Sequence, residues 1–184
     1  MSIYKRQAAR LIEKYALPDW LQRHSAVVRD AAWELAEALA AHGAQLDVEQ
    51  VTAGAWLHDI GKSPLVGGDP RDHGELSALI LAAEGLPELG EMARRHPVYA
   101  ILDPARAPRT LEEKIVHYAD RRGGLAMLSV EDRLAEQAER FPESAAQIRA
   151  ALGPVKELER ELFAKLPFGP DALRGARPGR SGVA

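Results

Sequence analysis

The chain has no cysteine among its 184 residues. Disulfides and thiolate metal sites are therefore excluded, and any metal must be held by nitrogen and oxygen ligands. No apolar run approaches the length that spans a membrane. The start, Met1-Ser2-Ile3-Tyr4-Lys5-Arg6, is polar and lacks the apolar core of a signal peptide. A cytoplasmic protein is the expectation. Large charge of one sign is also missing: the net charge is -3. That excludes a generally basic nucleic-acid footprint and leaves only a local patch open. Finally, β-branched residues are few, and no stretch alternates apolar and polar residues over any length. The predicted fold class is all-α.

What is present is a series of amphipathic patterns. Helices are predicted over residues 3–15, 20–41, 48–57, 73–84, 88–95, 111–128, 130–140, 142–152 and 154–166. Asp47, Asp72 and Thr110 are expected N-caps, the last with Glu113 completing a capping box. The third helix runs into His58-Asp59, and Gly61 is expected to end it in the left-handed conformation. Residues 64–71 and 97–108, rich in proline and glycine, read as loops and as the expected walls of a substrate site. One domain over 1–166 is predicted. The Gly-, Pro- and Arg-rich tail 167–184, with Arg174, Arg177 and Arg180, reads as disordered.

The chemistry centres on Leu57-His58-Asp59-Ile60-Gly61-Lys62. A lone histidine is more often a surface or satisfied core residue than a ligand. His58, however, has a carboxylate beside it. A second carboxylate, Asp120, follows an apolar helical run, where burying it unpaired would be costly and a cation would resolve the cost. His42 lies near a helix end, where positive charge suits the dipole, and is expected to be structural. His117 shares a helix face with Asp120 and is expected in a supporting or core position. Trp33 and Trp56 are expected in the core.

His24, His58-Asp59 and Asp120, in the contexts Arg23-His24-Ser25, Leu57–Lys62 and Tyr118-Ala119-Asp120, give a pattern that resembles the HD superfamily of metal-dependent phosphohydrolases. The resemblance covers about residues 20–125. It implies an HD-type helical bundle in which His24, His58, Asp59 and Asp120 hold one metal. In the dinuclear branches two further histidines lie between the dipeptide and the last aspartate, and His73 and His96 stand there. The resemblance then implies that Asp59 bridges to a second metal. One or two divalent transition ions (Fe, Mn, Co, Ni or Zn) suit such a mixture of imidazole and carboxylate. The chain lacks the Gly-Tyr-Pro motif of cyclic-dinucleotide phosphodiesterases, which argues against that branch.

The implied reaction is phosphoester hydrolysis through a metal-bound hydroxide, with Asp59 and Lys62 as catalytic residues and a nucleotide or other small phosphate as substrate. Lys62 is expected to neutralise a phosphate oxygen, and Arg121 or Arg122 is a further candidate for that contact. No membrane partner and no clear nucleic-acid partner are expected. Two other readings stand beside this one: a di-iron oxygenase on the same fold, and a non-catalytic signalling module.

Overall fold

The computed structural model describes residues 3–175. Those residues form helices and turns, with one isolated backbone bridge between Gly123 and Met127. None of the helices is long and apolar enough to cross a membrane. The predicted all-α class is what the structure has.

Helix α1 (Ile3–Lys14) leads to the long α2 (Asp19–Ala41). In α2, His24, Val28, Ala31 and Leu35 are buried. They recur every three or four residues, so one face carries both the apolar stripe and the histidine. Burying each such leucine or valine contributes about 2 kcal/mol, and that packing carries His24 inward. Helix α3 (Val48–Leu57) starts at Asp47, whose side chain accepts from the Gln50 amide. It packs against α1 and α2 on one side and later helices on the other, so it is buried almost all round.

The chain then tightens into a 3₁₀ turn at Ile60–Lys62 and another at Pro64–Val66. Gly61 does not take the predicted left-handed conformation, which is found instead at Gly43, Gly68, Gly85 and Gly175. Glycine is needed at 61 for close approach: a Cβ there would lie 2.5 Å from the His73 carbonyl oxygen and 2.7 Å from the Ser77 nitrogen. Helices α4 (His73–Ala83) and α5 (Pro87–Arg95) form an antiparallel pair. Asp72 caps α4 by accepting from the Gly74 and Glu75 amides. The stretch 97–108 is not wholly irregular, since Val98–Leu102 makes a 3₁₀ helix.

Helix α6 (Leu111–Asp120) has the full Thr110–Glu113 capping box. It stops eight residues short of the predicted end. Gly123 lies so close to α2 that a Cβ would stand 2.6 Å from Val28 Cγ2. The chain turns there, with the Leu128 amide bonding back to the Arg122 carbonyl. The C-terminal helices are α7 (Val130–Arg140), a 3₁₀ turn at Pro142–Ser144, α8 (Ala145–Ala150) and α9 (Leu152–Phe163). The predicted helix over 142–152 is thus split. The last helix begins at Leu152, with Pro154 in its first turn, where a missing N–H costs nothing.

The tail departs from expectation up to residue 175. Pro170–Ala172 is a 3₁₀ turn, Leu173 is buried, and the Arg174 and Gly175 amides donate to Glu34 Oε2, each at 2.9 Å. One apolar side chain with a core slot and a carboxylate accepting two amides suffice to dock it. Arg177 and Arg180 lie outside the described residues.

Candidate metal centre

Three histidines reach the centre by one device. The last carbonyls of a helix have no partner within the helix. His58, just past α3, places Nδ1 2.7 Å from the Ala55 carbonyl; His96, just past α5, places Nδ1 2.6 Å from the Ala93 carbonyl. His24 Nδ1 lies 3.3 Å from the Gly124 carbonyl, which the turn after α6 supplies. A carbonyl only accepts, so each Nδ1 carries the proton. In its neutral form each ring is left with an Nε2 lone pair. A fixed tautomer with a free Nε2 is how protein histidines are prepared as metal ligands.

These lone pairs converge on two carboxylates. His24 Nε2 is 3.2 Å from Asp120 Oδ1 and 3.8 Å from Asp59 Oδ2. His58 Nε2 is 3.4 Å from Asp59 Oδ2 and 3.9 Å from Asp120 Oδ1. On the other side, His96 Nε2 is 3.1 Å from Asp59 Oδ1 and 3.2 Å from His73 Nε2, and His73 Nε2 is 3.6 Å from Asp59 Oδ1. Two groups of atoms can each hold a metal ion: His24, His58 and Asp120, and His58, Asp59 and His96. His73, the first residue of α4, stands beside the second group. Asp59 faces both sides, one oxygen to each.

The donor set fits divalent cations on an observation independent of residue type. His58 Nε2 and Asp59 Oδ1 are buried and have no hydrogen-bond partner. An uncompensated buried acceptor costs about 1–3 kcal/mol, and a cation between them removes that cost. Electrostatics agree. Burial opposes ionisation of Asp59, but Lys62, His58 and His96 outweigh it and hold its carboxyl well below the usual range. Burial likewise opposes Asp120, which Arg121, His24 and His58 hold well below the usual range. Burial pushes His73 down to about 3 and His96 down to about 4. Burial would also lower His58, yet Asp59 and Asp120 overcome it and raise that ring. The two carboxylates demand positive charge at His58, which a cation supplies in place of a proton.

All six ligand candidates from the sequence therefore meet in one place. Other residues are distributed differently. His42 bonds its own helix through the Ala38 carbonyl at 2.8 Å. His117 is fully buried, donates from Nδ1 to the Arg95 carbonyl at 2.9 Å, and belongs to neither ligand group. Lys62 Nζ lies 2.7 Å from Asp59 Oδ2, so it already has a carboxylate partner. Arg122 turns away from the site, bonding Tyr118 Oη at 2.7 Å and the Pro170 carbonyl. Arg121 turns toward it and pairs with Asp120.

The cluster is the floor of a cleft of about 680 Å³. The walls differ from expectation. Pro97, Val98 and Tyr99 contribute, but residues 64–71 do not line it. The opposite wall is built from α7, the Pro142–Ser144 turn and α8, through Arg133, Gln137, Arg140, Phe141, Ser144 and Ile148, with Trp20 and Leu125 at the edge. Trp20 is 44% exposed and Phe141 43%. The Arg140 guanidinium lies 6.0 Å from the Trp20 ring centroid and 5.4 Å from that of Phe141. The aromatic weighing of the sequence fell on Trp33 and Trp56. Trp56 packs on the core with Arg29 over its ring. Trp20 carried no motif that set it apart; only its place above the floor does.

Comparison with known proteins agrees with this geometry. An uncharacterized protein of Methanocaldococcus jannaschii is 41% identical over 108 residues, 53% of this chain and 62% of that protein. A tRNA (cytidine(56)-2'-O)-methyltransferase of Thermoplasma volcanium is 33% identical over 121 residues, 60% of this chain and 33% of that protein. The chain thus spans less than two thirds of either relative. No solved structure gives a significant match. The family model described as HD domain matches residues 21–123, which include all six clustered ligand candidates and more than half of the sequence, and the chain belongs to that family.

Proposed function

We propose that the protein is a metal-dependent phosphohydrolase acting on a nucleotide or a similar small phosphate ester. The observation that carries the reading is the convergence of His24, His58, His96 and His73 on Asp59 and Asp120, with His58 Nε2 and Asp59 Oδ1 buried and unpartnered. Membership of the HD family supports it, because that superfamily consists in general of such hydrolases. When bound, divalent cations supply the Lewis acidity that activates water and offsets phosphoryl charge.

This chain's residues do the rest. His24, His58, Asp59 and Asp120 would hold a first cation, and Asp59 with His96 and His73 would hold a second. The backbone carbonyls of Ala55, Ala93 and Gly124 keep the imidazoles in the ligating tautomer. Lys62, partly exposed at the cleft and paired with Asp59, stands where its ammonium would neutralise a phosphate oxygen. Trp20 and Phe141, exposed rings at the rim with Arg140 between them, offer a platform for a base. The retained donor set argues against a purely structural module.

The test is metal analysis of the purified protein together with hydrolysis of a panel of nucleotides and phosphate esters. The expected result is bound transition metal and metal-dependent release of phosphate, both abolished in the His58→Ala, Asp59→Ala double variant. Full hydrolysis by that variant overturns the reading, and oxygen consumption without hydrolysis transfers the site to an oxygenase.

A further inference from the structure

The wall of the cleft carries a second concentration of unpartnered polar atoms. Arg121 is almost fully buried and gives only Nη2 to Asp120; its Nε and Nη1 have no hydrogen-bond partner. Arg133 is also buried. Its Nη1 bonds Glu136 Oε2 at 2.8 Å, and its Nε is unpartnered. Gln137 leaves Oε1 unpartnered. All three line the cleft that has the ligand cluster as its floor.

Unpaired buried guanidinium donors are expensive, and two near each other repel. Each arginine has one carboxylate partner, which leaves its other donors unpaired. Asp120 is shared with the candidate cation site, and Glu136 is about half exposed. Each cation bound on the floor adds further positive charge. What completes such a wall is an anion with several acceptor oxygens that two guanidinium forks can grip.

Helical geometry sets the direction. Arg133, Gln137 and Arg140 are spaced i, i+4, i+7 on α7 and lie on one face. At 1.5 Å per residue they make a ladder of about 10 Å. Arg133 is its buried rung, Gln137 is partly buried, and Arg140 is its exposed rung, set against Trp20 and Phe141.

Building on the phosphohydrolase reading, we infer that Arg121, Arg133 and Gln137 form a second phosphate subsite, next to the metal floor, for a substrate that carries a phosphoanhydride chain rather than a single phosphate. The phosphoryl group that reacts sits on the floor. The neighbouring phosphate sits on the two arginines, and the chain continues along α7 toward the rim. Arg121 and Arg133 are then specificity-determining residues: they select a diphosphate or longer chain over a monophosphate.

The test uses the full chain loaded with manganese. Calorimetric titration compares inorganic phosphate with methylenediphosphonate, a non-hydrolysable diphosphate. Wild type is expected to bind the diphosphonate at least tenfold more tightly. Arg133→Gln is expected to bring the two ligands within about twofold while phosphate affinity stays unchanged. Arg121→Lys keeps the charge and loses the fork, so it should remove part of the preference; its thermal midpoint checks that it folds. A diphosphonate preference that survives in Arg133→Gln overturns the inference. Two phosphate ions bound by wild type, one of them lost in Arg133→Gln, with no diphosphonate preference, would make this a site for free phosphate and overturn the claim about the substrate. Failure of the phosphohydrolase reading looks different: no member of the hydrolysis panel is cleaved, while the Arg133-dependent preference remains.

Discussion

The floor and the wall of the cleft are built on opposite plans. The floor takes its side chains from helix ends: His58 and His96 just past their helices, Asp120 at the last position of α6, His73 at the first of α4. Only His24 comes from within a helix, carried by its apolar stripe. Helix ends have unsatisfied carbonyls, which fix imidazole tautomers at no additional cost. The wall takes its side chains from one continuous helix face, Arg133, Gln137 and Arg140, joined by Arg121, Trp20 and Phe141. The floor is a rigid ligand set; the wall is a row of long, partly unpartnered side chains. On the proposed function, the difference in construction matches a difference in role: the floor for reaction, the wall for choosing what reacts.

The largest effect expected from breaking that division is on the floor. Asp59→Ala should lower kcat/KM by at least about a thousandfold, some 4 kcal/mol of transition-state stabilisation, and remove both metals. His73→Ala, at the edge of the set, should remove one metal of two. Elemental analysis with phosphate-release kinetics separates these outcomes, and equal metal content in wild type and Asp59→Ala would dissolve the distinction between floor and wall.

Gly61→Ala should come next. Its Cβ would meet backbone atoms of α4 at 2.5 and 2.7 Å, which side-chain rotation cannot relieve. A loss of about 3 kcal/mol in urea unfolding is expected, with weakened metal binding because Asp59 and His73 flank that contact. An unchanged urea midpoint would show that the turn yields easily.

A comparable effect lies behind the floor, at His117. Burial, then Arg121, pushes this ring down to about 4. The unfolded chain gains the proton near pH 6.5 and the folded chain only near pH 4. The stability contribution is complete above pH 6.5 and disappears as pH falls from there through about 4, a span of about 3 kcal/mol. His117→Asn, which can still donate to the Arg95 carbonyl, should flatten that part of the stability–pH curve. A curve with the wild-type slope would assign the acid sensitivity elsewhere.

The smallest effect belongs to the rim. Trp20→Ala or Phe141→Ala should raise KM for nucleotides about fivefold to tenfold, near 1 kcal/mol of stacking, and leave small aryl phosphates unchanged. Equal changes for both substrates would mean that the rings shape the cleft without contacting a base.

Legibility follows the same division. His58-Asp59 and Asp120 stood out locally, as a His-Asp pair at a helix end and a carboxylate after an apolar run, whereas His24, His73 and His96 were picked out only by the resemblance to the HD superfamily. Their helices were readable from periodicity and from Asp47, Asp72 and Thr110. The end of α6 was not. Gly123 and Gly124 weaken a helix there, but whether the helix tolerates them depends on how closely Val28 approaches from α2. The role of Gly61 was hidden for the same reason. Conformational freedom and close packing both call for glycine, and only the neighbouring helix tells them apart.

The sequence by itself determined the class of chemistry. The lack of cysteine restricts any metal centre to nitrogen and oxygen donors, and the helical periodicity gives an all-α frame, because donor type and helix period are local properties. The tertiary structure decided which neighbouring groups join that centre. Arg121 and Arg122 are adjacent in the chain, in the turn just past the end of α6. One turns into the cleft and the other joins Tyr118 of α6 to the Pro170 carbonyl of the tail. Lys62 rests on Asp59, and α7 rather than residues 64–71 makes the wall. Those outcomes depend on where one helix stops and which face of another it meets, and that is settled by packing between segments far apart in the chain.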